Sequence, residues 1–259
     1  MSQGLGSRLD RIEMLVNIVD LRPDLRMVRD SGPGQAYLLR RGRSVVLIDT
    51  GIAGQGNALA AALRDWGLDR DALTHVLLTH WHPDHVGSAA EVASWPGVQV
   101  WAHHSDAAII RGDHQGTLPE LTHAEEGLYA QIAGSIPDAP ACPVDRELAD
   151  DEVLPALDAR VISTPGHTDG SIALLFEEDG VLFTGDVATE YEGHVVLGPF
   201  NDDRPEARAS FRRFATIDVD TVCFGHGQAL RGPETAKLRA AATADAVPDP
   251  LASPDEQKQ

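Results

Sequence analysis

Thr79-His80-Trp81-His82-Pro83-Asp84-His85 closes the apolar run that begins at Ala72 and places four potential metal ligands within six residues. In extended chain, residues two apart face the same side, so His80 and His82 can converge on one metal as a strand ends. Pro83 suits the first position of a helix, and beyond that turn Asp84 and His85 can point to an adjacent position. Imidazole and carboxylate donors suit Zn²⁺, and also Fe, Mn or Co, better than Ca²⁺ or Mg²⁺. A packing role alone gives no reason for four such groups to meet.

Three further segments each set one ligand-type residue at the end of a strand pattern. They are His167 in Thr164-Pro165-Gly166-His167-Thr168, Asp186 at the end of GVLFTGD, and His226 in Gly225-His226-Gly227 after DTVCF. The histidines outside these motifs, His75, His103, His104, His114, His123 and His194, read as ordinary core or surface residues.

In this order the HxHxDH cluster, the PGHT-type turn, the GD and the GHG resemble the metallo-β-lactamase superfamily over about residues 35 to 230. Asp49-Thr50-Gly51 resembles that family's early DTG, whose Asp supports the site without being a ligand. The resemblance implies that His80, His82 and His167 hold one metal, that Asp84, His85 and His226 hold a second, and that Asp186 bridges them. The implied cofactor is two Zn²⁺, with Fe or Mn as alternatives. Two metals roughly 3.5 to 4 Å apart can share a hydroxide formed near neutral pH and polarise the carbonyl it attacks, so no Ser or Cys nucleophile is needed. By analogy Asp84 would pass a proton to the leaving group. Tyr191, five residues after Asp186, is a candidate hydrogen-bond donor to the substrate carbonyl, although its spacing departs from that of the lactonases it resembles. Trp81, between the first two ligands, is expected to pack as a wall beside them.

Around these motifs the chain reads as α/β. Strand patterns occur at IEMLVNIV, QAYLLRR and SVVLIDTG between about 12 and 50, then at ALTHVLLTH, VQVWAH, ARVIST, SIALLFEE, GVLFTGD and DTVCFGHG. Helical patterns lie between them: AGQGNALAAALRDWG, about 83 to 94, a short helix opened by Ser105 as N-cap, about 205 to 216, and ETAKLRAAATADA. The expected architecture is a four-layer αββα sandwich, two mixed sheets with helices outside. Residues 12–246 form one domain, 1–11 a flexible start and 247–259 a disordered tail. Within the domain, about 104–152 reads as a lid or insertion, loop-rich with prolines at 119, 137, 140 and 143 and one helix in PELTHAEEGLYAQIAG. Its eleven acids against Arg111 and Arg146 leave a net −9.

The whole chain of 259 residues carries 21 basic and 40 acidic side chains, a formal charge of −19. That opposes the phosphate neutralisation nucleic-acid binding requires and gives an anionic membrane nothing to hold. No apolar stretch approaches the ~20 residues of a membrane span, and the first residues lack the apolar core of a secretory signal, so a cytoplasmic protein acting on a small molecule is expected. Cys142 and Cys223 lack CxxC spacing and suggest neither disulfide nor thiolate site.

Departures from subfamily patterns narrow the chemistry. Asp186 stands where B1-type β-lactamases carry a Cys, which disfavours antibiotic hydrolysis and keeps it as a further alternative. The motifs resemble glyoxalase II, but only 33 residues follow His226, against the helical domain which that enzyme uses to hold glutathione. Cleavage of an ester, thioester or lactone remains, as in compact members that include acyl-homoserine lactonases. The alternative from another class is a mononuclear Fe(II) oxygenase resembling persulfide dioxygenase, with His82, His167 and Asp186 as its ligand set. The 82 residues from His85 to His167 contain the lid, whose charge should repel anionic acids and tolerate neutral or cationic acyl groups.

Overall fold

The computed structural model describes residues 17–29 and 33–251; the expected flexible start, the beginning of the first strand pattern and residues 252–259 of the tail lie outside the described residues. Seven strands, β1 (Asn17–Arg22), β2 (Leu25–Arg29), β3 (Ala36–Arg41), β4 (Ser44–Ile48), β5 (Leu73–Leu77), β6 (Gln99–His103) and β7 (Arg146–Leu148), pair in that order. The pairing is antiparallel as far as β4 and parallel from there on. The second sheet takes β8 (Val153–Leu154), β9 (Ala159–Ser163), β10 (Ile172–Phe176) and β11 (Val181–Phe183). After a separate hairpin of β12 (Ala188–Tyr191) and β13 (His194–Leu197), β14 (Thr221–Cys223) and β15 (Leu230–Arg231) complete it, in the order β15-β14-β11-β10-β9-β8. Only β11 and β14 run parallel in this sheet, so both sheets are mixed.

Period-two alternation assigns the layers. In β4, Val46 and Ile48 join an inner core with Leu174, Phe176 and Phe183 from the second sheet, while Val45 and Leu47 face outward. Those outward residues pack on Leu59 and Leu63 of α1 (Gly56–Arg64). In β10, Ile172, Leu174 and Phe176 point inward, and Ala173 and Leu175 meet an outer cluster that includes Phe211, Phe214 and Leu238. The result is the expected αββα sandwich, each sheet buried on both faces.

The region expected to be one helix at about 83 to 94 is two: α2 (Pro83–Val86) and α3 (Ala89–Ala93). The chain is pinned between them, because Ser88 Oγ accepts the Gln55 N–H at 2.7 Å and donates to the Ile52 carbonyl at 2.6 Å. Ser105 does not cap α4 (His104–Ile110); the cap is His103, whose Nδ1 accepts the Ser105 N–H at 3.4 Å. The lid helix is shorter than its pattern, α5 (His123–Ile132), because Thr122 and Glu125 close a capping box at its start. The far end of the 104–152 segment becomes β7 and is paired into the first sheet.

The tail is docked as far as it is described. Val247 is buried, the Leu197 N–H donates to the Pro248 carbonyl at 2.7 Å, and Asp249 accepts from Arg204 and Arg208 at 2.7 and 2.9 Å. Arg204, which opens α6 (Arg204–Phe211), also pairs with the fully buried Glu125 of α5. Polar composition concealed this tie: the charges of 249 and 204 satisfy each other, so a polar segment can lie on α6 and α7 (Ala236–Thr243).

Candidate metal centre

The loops that carry the candidate ligands all leave the same ends of neighbouring strands. Asp49 follows β4, His80 to His85 follow β5, His167 follows β9, Asp186 follows β11 and His226 follows β14. Since β4 and β5 are parallel, as are β11 and β14, their exits fall side by side at one edge of the sandwich.

All seven expected residues meet there. One donor atom from each of His80, His82 and His167 lies within 4.8 Å of the others, and the same holds for His80, His85 and Asp186, and for Asp84, His85 and His226. His167 Nε2 is 3.0 Å from His82 Nδ1. Asp186 stands between the two halves: its Oδ2 is 3.7 Å from His167 Nε2 and 3.0 Å from His226 Nε2, and its Oδ1 is 3.3 Å from His85 Nε2. Asp84 Oδ2 is 3.4 Å from His226 Nε2. His82 lies 3.0 Å and Asp186 3.7 Å from His167 Nε2, so the grouping expected for a mononuclear iron site falls within the same cluster.

Supporting residues fix these rings. Asp49, held at a positive φ of 54°, accepts from His85 Nδ1 at 2.9 Å, from the Thr79 hydroxyl at 2.7 Å and from the Thr79 N–H at 2.8 Å. The carboxylate thus orients His85 with Nε2 facing the cluster, as the early DTG resemblance implies. Asp106 went unnoticed in the sequence. Buried on α4, it accepts from Trp81 N–H at 3.0 Å, Thr168 hydroxyl at 2.8 Å and Gly170 N–H at 2.9 Å, tying the turn bearing His80 and His82 to the turn bearing His167. Nothing local marks an Asp in a helix's first turn; only the fold brings both turns to it. Gly225 explains the first glycine of GHG, because a Cβ there would overlap Asp186 Oδ1 and lie 2.8 Å from His85 Cε1.

The donor set fits a metal. Buried His80 Nε2, His85 Nε2 and Asp186 Oδ1 make no hydrogen bond, an expensive state unless a cation completes them. Burial, reinforced by neighbouring imidazoles, pushes His80 and His82 well below the usual histidine range, which leaves them neutral ligands. Burial acts the same way on His85 and His226, but the carboxylates of Asp186 and Asp84 outweigh it and raise both. Burial would raise Asp186, yet His226 and His85 hold it well below the usual carboxylate range.

Tyr191 is not part of this cluster. It is 56% exposed at the end of β12, where it lines a separate cleft of ≈ 1080 Å³ with residues of α6, α7 and the 246–250 segment, and none of the seven candidate ligands borders that cleft. Thr189 and Glu190, earlier on the same strand, are the residues that meet the His226 loop: the Thr189 hydroxyl donates to the His226 carbonyl at 2.9 Å. Trp81 does pack as a wall, with its ring 4.6 Å from that of His82 and against Gly116 of the lid.

Among the described residues no helix is long and apolar enough to cross a membrane. Residues 29–226 match the model of the metallo-beta-lactamase superfamily. The chain is 28% identical over 208 residues to the probable metallo-hydrolase YflN of Bacillus subtilis (strain 168), covering 73% of this chain and 77% of that protein. It is 24% identical over 186 residues to the atrochrysone carboxyl ACP thioesterase of Aspergillus terreus, covering 68% of this chain but only about half, 48%, of that enzyme. The crystal structure of the metallo-beta-lactamase family protein TTHA1429 from Thermus thermophilus superposes with a TM-score of 0.61 at 27% identity, covering 86% of this chain and 78% of that one. With its fold, its ligand order and its sequence in agreement, the chain belongs to the metallo-β-lactamase superfamily.

Proposed function

We propose that the protein hydrolyses an ester, thioester or lactone bond of a small molecule at a centre of two metal ions, zinc being the ion the donors suit best. One observation carries the reading: Asp186 stands between a three-histidine set and a set of Asp84, His85 and His226, the division two metals require. His80, His82 and His167 would hold one ion, Asp84, His85 and His226 the other, and Asp186 both. Bound there, the ions supply an activated water near neutral pH and polarise the carbonyl it attacks.

The protein's own groups do the rest. His226, whose side chain is 31% exposed, marks an accessible side of the cluster, with the buried Asp84 carboxylate 3.4 Å behind it, so the scissile bond approaches from there. Asp84 would take up the proton released by the attacking water and pass it to the leaving oxygen or sulfur as the tetrahedral intermediate collapses. Trp81 excludes water beside His82. The hydrolase names of two relatives, one a thioesterase, favour acyl transfer to water.

The lid selects the substrate. Both of its arginines are engaged with its own acids, Arg111 with Glu147 at 2.6 Å and Arg146 with Glu152; Asp106 is buried, and Glu125 and Asp151 pair with Arg204 and Arg213 from outside the lid, so its remaining acids set its field. Neutral or cationic acyl groups are preferred to anionic ones, and nucleic acid and anionic membranes are not partners. A panel of lactones, aryl esters and thioesters at low salt tests this: anionic thioesters turned over faster than neutral lactones would refute the lid's role. Asp186→Ala should abolish metal retention and cut hydrolysis by orders of magnitude; unchanged turnover and metal content would refute the two-metal reading.

A further inference from the structure

Three ligand-type side chains meet away from the centre, at the base of the lid. One donor atom each from His103, His104 and Asp150 lies within 4.8 Å of the other two. His103 Nε2 is 2.8 Å from Asp150 Oδ1, and the two imidazole centroids are 4.2 Å apart with 35° between ring planes. Successive side chains in a strand point to opposite faces. The chain leaves β6 at His103 and enters α4 at His104, and that change of backbone direction brings the rings together.

The donors are partly fixed and partly open. His103 is buried, with its Nδ1 accepting the Ser105 N–H, while Ser163 Oγ donates to Asp150 Oδ1 at 2.9 Å. His104 and Asp150 reach solvent, leaving room for water to complete a coordination shell. With Nδ1 accepting from Ser105, the proton of neutral His103 sits on Nε2 and faces Asp150 Oδ1, so a cation entering here takes the place of that proton and displaces the long Nδ1 contact.

Their place in the chain gives the cluster a role. His104 opens the lid segment and Asp150 stands near its end, just after edge strand β7 and before Asp151, which sits at φ 54°. A bond between them closes a loop that covers almost the whole lid, from its first helix through α5 to its return to the sheet. The β6–β7 pairing, which sets His103 opposite Leu148, already brings the two stems together, so the bond reinforces a closure the sheet makes.

We propose that His103, His104 and Asp150 form a second transition-metal site, for Zn²⁺ or Ni²⁺, that staples the two stems of the lid. Two imidazoles and a carboxylate are a donor set for such ions, with the remaining positions taken by water. The staple borders the hydrolytic centre without belonging to it: Asp106, two residues beyond His104, holds both ligand turns. Occupancy therefore fixes the stems of the lid more firmly against each other beside α4.

The test is anomalous diffraction at the zinc edge on crystals of the metal-loaded full chain, for wild type, His104→Ala and Asp150→Asn. A peak among the three residues in wild type, lost in both variants while peaks around Asp186 persist, supports the site. With zinc at ten times its dissociation constant, the zinc-dependent protection against unfolding should be about tenfold larger in wild type than in His104→Ala. Density around Asp186 with none at His103, a peak that survives His104→Ala, or uptake only at millimolar zinc overturns it. Because the peaks around Asp186 are read in the same maps, failure of the staple is distinguishable from failure of the hydrolytic centre.

Discussion

Gly225→Ala isolates the geometry of the centre in one methyl group. Gly225 is not at a positive φ, so alanine can adopt its backbone, and the Gly225 N–H can still donate to the Gly185 carbonyl at 3.0 Å. The added Cβ, however, overlaps Asp186 Oδ1 and comes within 3.0 Å of Asp186 Cγ and 2.8 Å of His85 Cε1. Restoring an ordinary separation of about 3.5 Å drives the carboxylate back by more than about 1 Å. A misplacement of that size costs on the order of 100-fold in a positioned site, or about 2.7 kcal/mol of transition-state stabilisation. Replacing Gly also lowers the entropy of the unfolded chain, a gain of about 0.4–1 kcal/mol that offsets part of the local strain. The expected result is a fold that melts within a few degrees of wild type, with kcat/KM on the best ester or thioester reduced at least about 100-fold and the bound metal depleted. Calorimetry, steady-state kinetics and elemental analysis of one preparation supply all three readings. A variant with full metal and kcat/KM within about threefold of wild type would refute the claim that Gly225 makes room for Asp186.

Other substitutions separate the supporting residues. Burial raises the pKa of Asp106 to about 7, so its contribution is fully present below the ordinary carboxylate pKa and is lost as pH rises through about 7. Urea denaturation from pH 4 to 8 should show wild type losing stability relative to Asp106→Asn across that interval, and parallel curves would remove Asp106 from the account. Because Trp81, Thr168 and Gly170 all direct donors at Asp106, Asn should also cost about 1–3 kcal/mol at pH 5. Tyr191→Phe should leave kcat/KM within about twofold, since its hydroxyl belongs to another cleft; a hundredfold fall would restore it as a substrate-binding group. Arg204→Met leaves Glu125 buried without its cationic partner and Asp249 with Arg208 alone, which should cost about 3–5 kcal/mol and expose the lid helix to protease; an unchanged melting temperature would contradict the tie.

The site was more legible in the sequence than the lid or the supporting shell. Ligands that follow strands keep their order in the chain, and the close spacing from His80 to His85 forces them together. The unbroken apolar runs VVLI and IALLF point to buried strands, and both faces of each prove to be covered. Asp106 was invisible because its partners lie 25 to 64 residues away. The β12–β13 hairpin was missed as well: Glu192 and Gly193 both turn at positive φ, a two-residue turn without the usual Asn-Gly signal. The tail misled for the opposite reason: Asp249 looks solvated until Arg204 and Arg208 are brought to it.

The central claim is that Asp186 is shared by two metal ions. Anomalous diffraction from anaerobically purified protein, in the His104→Ala background so that the lid site is silent, reads it directly. Two peaks flanking the Asp186 carboxylate, one among His80, His82 and His167 and one among Asp84, His85 and His226, are predicted, together with hydrolysis by the same preparation. A single iron peak, accompanied by thiol-dependent oxygen uptake and no hydrolysis, would contradict it.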